Sequence, residues 1–165
     1  MPRTIEFNSL GDFARHLIGV EVAVKAAEHK GLKKAAVLIE NAAKAEIGHY
    51  QGAAGPFPAW APLADPTEAS KARKGYPAGA PLLASGDMRD NISHQVSGHE
   101  AVIGSPDDKA FYHEFGTSKM PPRPIFGPAV FSNKAKIQRI IGAAVVSGII
   151  GGEIVAGGHE YFFGE

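Results

Sequence analysis

"SLGDFARHLIGVEVAVKAAEHKGLKKAAVLIENAAKAEIG", residues 9–48, keeps apolar side chains at helical spacing along almost its whole length. Ser9 and Asp12 make an S-x-x-D start signal, in which the serine oxygen accepts one of the orphan amide hydrogen bonds of a first turn. Phe13, Leu17, Val20, Val24 and Ala27 recur at spacings of four and three and so share a face, while Arg15, Glu21, Lys25 and Glu28 fall largely elsewhere. Gly31 interrupts the pattern before Leu32, Ala35, Ala36, Ile39, Ala43 and Ile47 resume it. The spacing predicts one long helix, or two in tandem, ending near Gly48. Its alanine-rich stripe permits close packing and serves either the core or a subunit contact. Just upstream, Thr4 to Phe7 reads as a short strand.

Past this helix the composition changes. Six of the twelve prolines (56, 58, 62, 66, 77 and 81) fall in the 52–81 segment among glycines and alanines, a density that neither a helix nor a central strand survives. One short helix fits inside it, Thr67 to Lys74. Irregular connections this long inside a domain are uncommon and tend to have a function. Phe57, Trp60 and Tyr76 are apolar anchors of a kind that disordered linkers seldom carry. They either pack on the chain's own core or fill pockets on a neighbouring subunit.

Residues 81–106 read as a turn followed by a hairpin. Ile92, His94 and Val96 alternate with Ser93, Gln95 and Ser97, the period-two pattern of a half-buried strand, and Gly98 and His99 turn the chain into Ala101 to Ile103. "SPDDKAFYHEFG" then predicts a short helix from Pro106 to Phe115, with Ser105 as cap, Asp107 and Asp108 against the positive helix end and Gly116 as the left-handed stop. A closing helix over Pro128 to Ile150 carries apolar Val130, Ile137, Ile140 and Ile141, with Lys134, Lys136 and Arg139 solvated. These elements make an α+β chain with a long N-terminal helix, a small antiparallel sheet, a short capped helix, a C-terminal helix and a Pro-rich extended arm. With 165 residues the chain fits a single domain, with the arm at 52–81 and a Gly-rich tail at 151–165.

Bulk properties remove several function classes. Lys plus Arg is 17 and Asp plus Glu is 17, so no net positive field draws nucleic acid or anionic lipid. Cysteine is absent, which excludes thiolate chemistry and a disulfide framework. "IIGAAVVSGIIGG", residues 140–152, is too short for a membrane span, which needs about 20 residues. It reads as a buried helix with small contact positions, or as a subunit interface. "MPRTIEFNSL" lacks the apolar stretch of a signal peptide, and a cytosolic product is the expectation.

Catalytic patterns fail on spacing. His113 beside Glu114 suggests a metal-activated hydrolase, but the second histidine would have to stand at 117, which is Thr117. His99 and His159 fail in the same way, with Ile103 and Phe163 at the ligand positions. No G-x-S-x-G, P-loop or G-x-G-x-x-G motif is present, and Ser85-Gly86-Asp87 reads as a turn. A small hydrolase or metal-dependent enzyme using His113, Glu114 and Arg123 stands as the alternative function. No cofactor is implied.

"MPPRPIFGP", residues 120–128, has a different character. Four prolines fix φ and bias their neighbours to extended geometry, presenting Met120, Arg123, Ile125 and Phe126 along a stiff ribbon that loses little entropy on binding. Arginine and aromatic residues are also those most often found at interface hot spots. The candidate protein-interface residues are therefore Trp60, Tyr76, Met120, Arg123, Ile125 and Phe126. The competing reading is a rigid crossover with Phe126 in the core and Arg123 paired to an acid such as Glu114.

Two stretches together resemble a known family. "WAPLADPTEASKARKGYPAGAPLLASGDMRDNI" has the tryptophan, the Pro-Leu, the threonine- and lysine-bearing turn, the Pro-Leu-Leu, and the glycine before an arginine-containing strand start. "YHEFGTSKMPPRPIFGPAV" has the aromatic, His-Glu-Phe-Gly-Thr, Met-Pro-x-Arg-Pro and Phe-x-Gly-Pro-Ala. Both are similar to the virion morphogenesis and tail-completion proteins of tailed bacteriophages, which include neck and minor tail components. The chain departs from that pattern in its long Gly-rich tail and in Ile125, where phenylalanine is common. The resemblance implies a small, non-catalytic α+β building block at the head–tail junction that assembles as a homo-oligomeric ring. Its implied partners are the head-connector, tail-terminator or tail-tube proteins, with no membrane and no specific nucleic acid. Its implied location is the virion neck or tail, with the host cytoplasm during assembly.

Overall fold

The computed structural model describes residues 6–151. Five helices and one hairpin follow in the order α1 (Leu10–Glu46), α2 (Asp65–Arg73), α3 (Asp87–Asp90), β1 (Ser93–Ser97), β2 (Glu100–Gly104), α4 (Asp108–Phe115) and α5 (Phe126–Ile149). The α+β expectation holds, and the long first segment is one continuous helix. Ser9 Oγ accepts from the Asp12 amide at 3.0 Å, as the start signal required. At a rise of ~1.5 Å per residue, the 37 residues of α1 span ~55 Å.

Gly31 does not break α1 because it is where α5 crosses. A Cβ added there would stand 2.6 Å from Ala144 Cβ, and one added at Gly148 would stand 2.6 Å from Val24 Cα. The two helices run antiparallel at a separation that only small residues allow. The inward face of α5 is accordingly Pro128, Ala129, Ala144, Ser147 and Gly148. Val130, though apolar, is 43% exposed. Of the apolar run over 140–152, Ala144, Ser147 and Gly148 are buried, while Val146, Ile149 and Ile150 face outward. The first turns of α1 extend past the crossing of Val24 with Gly148 and leave Leu10, Leu17, Ile18 and Val22 exposed.

The core lies toward the other end of α1, where Ile39, Ala43 and Ile47 meet Trp60, Met88, Ile92, Ala110, Ile125 and Ala129. β1 pairs antiparallel with β2, His94 opposite Ile103 and Val96 opposite Ala101, and the inward positions are those the alternation gave. Polar ties fix the hairpin on α1: His94 Nδ1 lies 2.5 Å from Glu40 Oε2, and His99 Nδ1 lies 2.8 Å from Glu28 Oε1. His94, and after it Lys44, hold the Glu40 carboxyl below the usual glutamate range.

Several boundaries differ from the sequence reading. α4 begins at Asp108 with Asp107 as its cap, whose side chain accepts from the Lys109 amide at 2.9 Å, so Ser105 is not the cap. Ser105 Oγ instead accepts from the amide of Asp107, two residues on, at 3.2 Å. α5 starts two residues before Pro128, for a reason given below. The strand expected at Thr4 to Phe7 falls partly outside the described residues, and Glu6 and Phe7 are not in a strand. The Gly-rich tail, apart from Gly151, also lies outside them.

Candidate functional site

The Pro-rich arm and the 112–128 segment, remote in sequence, are stitched together. Trp60 is 6% exposed, and its Nε1 donates to the Pro124 carbonyl at 3.2 Å. Arg123 is 4% exposed, and its guanidinium donates in the opposite direction: Nη2 to the Ala61 carbonyl at 3.0 Å and to the Pro62 carbonyl at 3.1 Å, with Nε 3.3 Å from the Ala61 oxygen. Two prolines cannot offer amide donors and leave carbonyls without strand partners. The planar guanidinium fork supplies several donors at once. Tryptophan and arginine thus form a reciprocal clasp between the two motif blocks.

Glu114 explains the start of α5. Its carboxylate accepts from the amides of Ile125 at 2.6 Å, Phe126 at 3.1 Å and Gly127 at 3.0 Å. These are orphan donors of the first turn, and a negative charge there is also favoured by the helix dipole. Glu114 is therefore neither paired to Arg123, as the crossover reading had it, nor free to act as a metal ligand or general base. The hydrolase reading of His113 and Glu114 loses its acid. Among the described residues no group of three His, Asp or Glu side chains converges on a metal position.

Gly116 links the two halves. It has φ 74° and ψ 179°, a region that is essentially glycine's alone, and a Cβ there would lie 2.9 Å from the Met120 carbonyl oxygen. Thr117 and Met120 close a tight turn by mutual backbone hydrogen bonds, and the Arg123 amide donates to the His113 carbonyl at 2.7 Å. The segment read as a free ribbon is folded back onto α4.

The six expected contact residues consequently divide. Trp60, Arg123 and Ile125 lie inside this chain, with Ile125 at 0% exposure. Phe126 is half-buried against the core. Tyr76 and Met120 are half-buried and, with the edge of Arg123, line a groove of ≈ 410 Å³ between the arm and the 112–128 segment. Leu82, Leu83 and Met88 form much of its apolar floor. Leu82 has φ 63°, a conformation that costs a residue with a Cβ ~1–2 kcal/mol. It is held there on one side by the Pro81 carbonyl, which accepts from the Gly48 amide at 2.9 Å, and on the other by packing on the core. Across the groove Lys71 Nζ donates to the Ala80 carbonyl, which closes the arm on itself.

Sequence reasoning missed Glu46 altogether, and it read His113 only as a possible metal ligand. Burial, and secondarily the negative charge of Glu114, push the Glu46 carboxyl up to about 7. His113 is held below the usual histidine value by burial, then by the Arg123 charge, with Asp107 opposing. Glu46 Oε2 and His113 Nδ1 are both buried without a hydrogen-bond partner. Only tertiary contact puts them there, and no local pattern signals it.

Fold and clasp together define a small α+β protein whose two motif blocks are built against each other. The profile of the phage virion morphogenesis family matches residues 16–145, which takes in both blocks and most of both long helices. The chain belongs to that family. None of the curated proteins and none of the solved structures compared with it matches. Among the described residues no helix is long and apolar enough to cross a membrane.

Proposed function

We propose that this protein is a non-catalytic structural subunit of a tailed-phage virion, a head–tail joining (neck) or tail-completion component that assembles into a homo-oligomeric ring. The observation that carries this reading is the family match over residues 16–145. The engagement of Glu114 with the amides of α5 supports it, since it removes the one constellation that suggested catalysis. The groove lined by Tyr76, Met120 and Arg123 is the contact surface of the ring, while Trp60, Ile125 and Phe126 belong to the chain's own core. Its neighbours along the particle are the head connector, the tail terminator or the tail tube. Measuring the protein's mass in solution and its presence in purified virions tests the reading. Incorporation at a fixed copy number per particle is expected. A strict monomer that is absent from particles refutes it.

A further inference from the structure

The outer face of α4 carries Phe111 at 63%, Phe115 at 69% and Tyr112 at 49% exposure. Phe111 and Phe115 lie against each other with ring centroids 4.9 Å apart and planes tilted by 52°, and Tyr112 meets Phe111 edge-on at 6.0 Å. With ~150–250 Å² per aromatic side chain, about 350 Å² of aromatic surface stands in solvent on a helix of eight residues. A contiguous apolar patch of that size matches the largest patch of a typical monomer, a kind of surface that is often functional. None of the three is needed for the clasp or the core. All three are set in a fixed orientation by the capped helix.

The opposite side of the same helix faces the groove. At ~100° per residue, Phe111 and Phe115 project roughly opposite Lys109 and His113, both of which line the groove wall. A protruding aromatic pair and an apolar groove therefore lie back to back on one element. The groove volume of ≈ 410 Å³ falls within the roughly 300–1,000 Å³ of sites that enclose drug-sized ligands, enough for two phenyl rings. The charges correspond as well. Asp108 sits on the aromatic side of α4 one turn before Phe111 and Tyr112, and the groove lining carries Lys74 and Lys119 beside the single acid Asp87, with Lys109 3.7 Å from its own Asp107.

We propose that the occupant of the groove is a second copy of this chain, which inserts the Phe111–Phe115 pair of its α4 into it. Knob and groove are different surfaces, so the contact is heterologous, and repeating it around an axis closes a ring while leaving no subunit unpaired. The aromatic patch supplies the desolvated centre of the contact, a bit under half of the ≈ 800 Å² per partner of a standard interface, and the Asp108–lysine pairs supply its polar rim. The inference rests on the ring reading above and names the surfaces that would build it.

The absence of cysteine makes the test clean. Full-length Phe115→Cys and Ala84→Cys chains, the latter at an exposed groove position, are expressed together during phage growth, and purified particles are oxidised. Disulfide dimers of the mixed type are expected, in at least tenfold excess over Phe115→Cys homodimers. In parallel, Phe111→Ser/Phe115→Ser is expected to keep the wild-type melting curve, because both rings are exposed, yet to enter particles at least tenfold less. Particles that hold the doubly substituted chain at full copy number overturn the knob-in-groove contact while leaving the ring reading intact. So do cross-links from Phe115→Cys only to itself, or to a different virion protein. Absence of even the wild-type chain from particles overturns both.

Discussion

Replacing Arg123 by alanine should unfold the clasp rather than merely blunt a contact surface. The side chain is 4% exposed and makes three donor contacts to two carbonyls of the arm, Ala61 and Pro62. A hydrogen bond to a charged group contributes about 1.5–3 kcal/mol. Pro62 is itself exposed, so water can replace the guanidinium there, whereas the half-buried Ala61 carbonyl is satisfied less readily. Counting mainly the Ala61 pair and adding the void left by the side chain gives a loss of about 2–4 kcal/mol. In a chain of this size that corresponds to a fall in melting temperature of about 5–15 °C. Arg123→Met separates the terms. It fills most of the volume and removes a buried charge whose desolvation is itself unfavourable, so it should cost clearly less than alanine. Arg123→Lys should fall between, because one ammonium cannot reproduce the planar fork. Equilibrium denaturation, with Trp60 fluorescence as the probe, reads the clasp directly, since the indole donates to the Pro124 carbonyl on the other strand of it. An alanine variant within 0.5 kcal/mol of wild type, the range of neutral surface changes, would refute the clasp.

Other outcomes follow from the same contacts. Glu114→Ala strips three amides at the start of α5 of their acceptor and should destabilise by at least ~2 kcal/mol, checked by denaturant midpoint; Glu114→Gln, which lacks the charge, should recover only part. Gly31→Ala puts a methyl 2.6 Å from Ala144 Cβ and should cost about 1–3 kcal/mol despite alanine's better helix propensity, and Ala144→Gly in the same chain should restore most of that loss. For Glu46 the folded chain holds a proton, between the ordinary glutamate value of 4.5 and about 7, that the unfolded chain has released. Stability therefore falls as pH rises through that window. Discounted for partial exposure, the loss is about 1–2 kcal/mol, and Glu46→Gln should abolish it. His113, with its lowered value, acts in the opposite sense below 6.5, where acid removes stability. Denaturation of wild type and Glu46→Gln at pH 5 and pH 8 checks the difference; parallel curves for the two proteins would count against it.

Local chemistry made most of the elements legible. The Ser9 start, the α1 stripe, the inward side of the hairpin and the Gly116 stop depend on neighbours within a few residues, where propensity, capping and periodicity act directly. Proline density in the 52–81 segment excluded regular structure for the same reason, apart from α2, which begins two residues before the expected Thr67. The two motif blocks were also legible, and the family match covers them. What those blocks do was not. Stiffness and a lone arginine read equally well as a ribbon offered to a partner. The fold shows Arg123 and Trp60 turned inward because the arm, some 60 residues upstream of Arg123, presents carbonyls to the guanidinium, while Trp60 of the arm finds the Pro124 carbonyl 64 residues on. The partner of Glu114 was invisible for a similar reason. Its three amides lie 11 to 13 residues on, beyond any helical repeat, and meet it only because Gly116 folds the chain back. Exposure of Phe111 and Phe115 could not be read from their spacing either, since a four-residue interval of aromatics on a short helix is the pattern of a buried face. Sequence determined most of the elements, though not the one-turn α3 or the start of α5; the tertiary structure decided which of their faces remain in solvent, because burial depends on contacts that no local window contains.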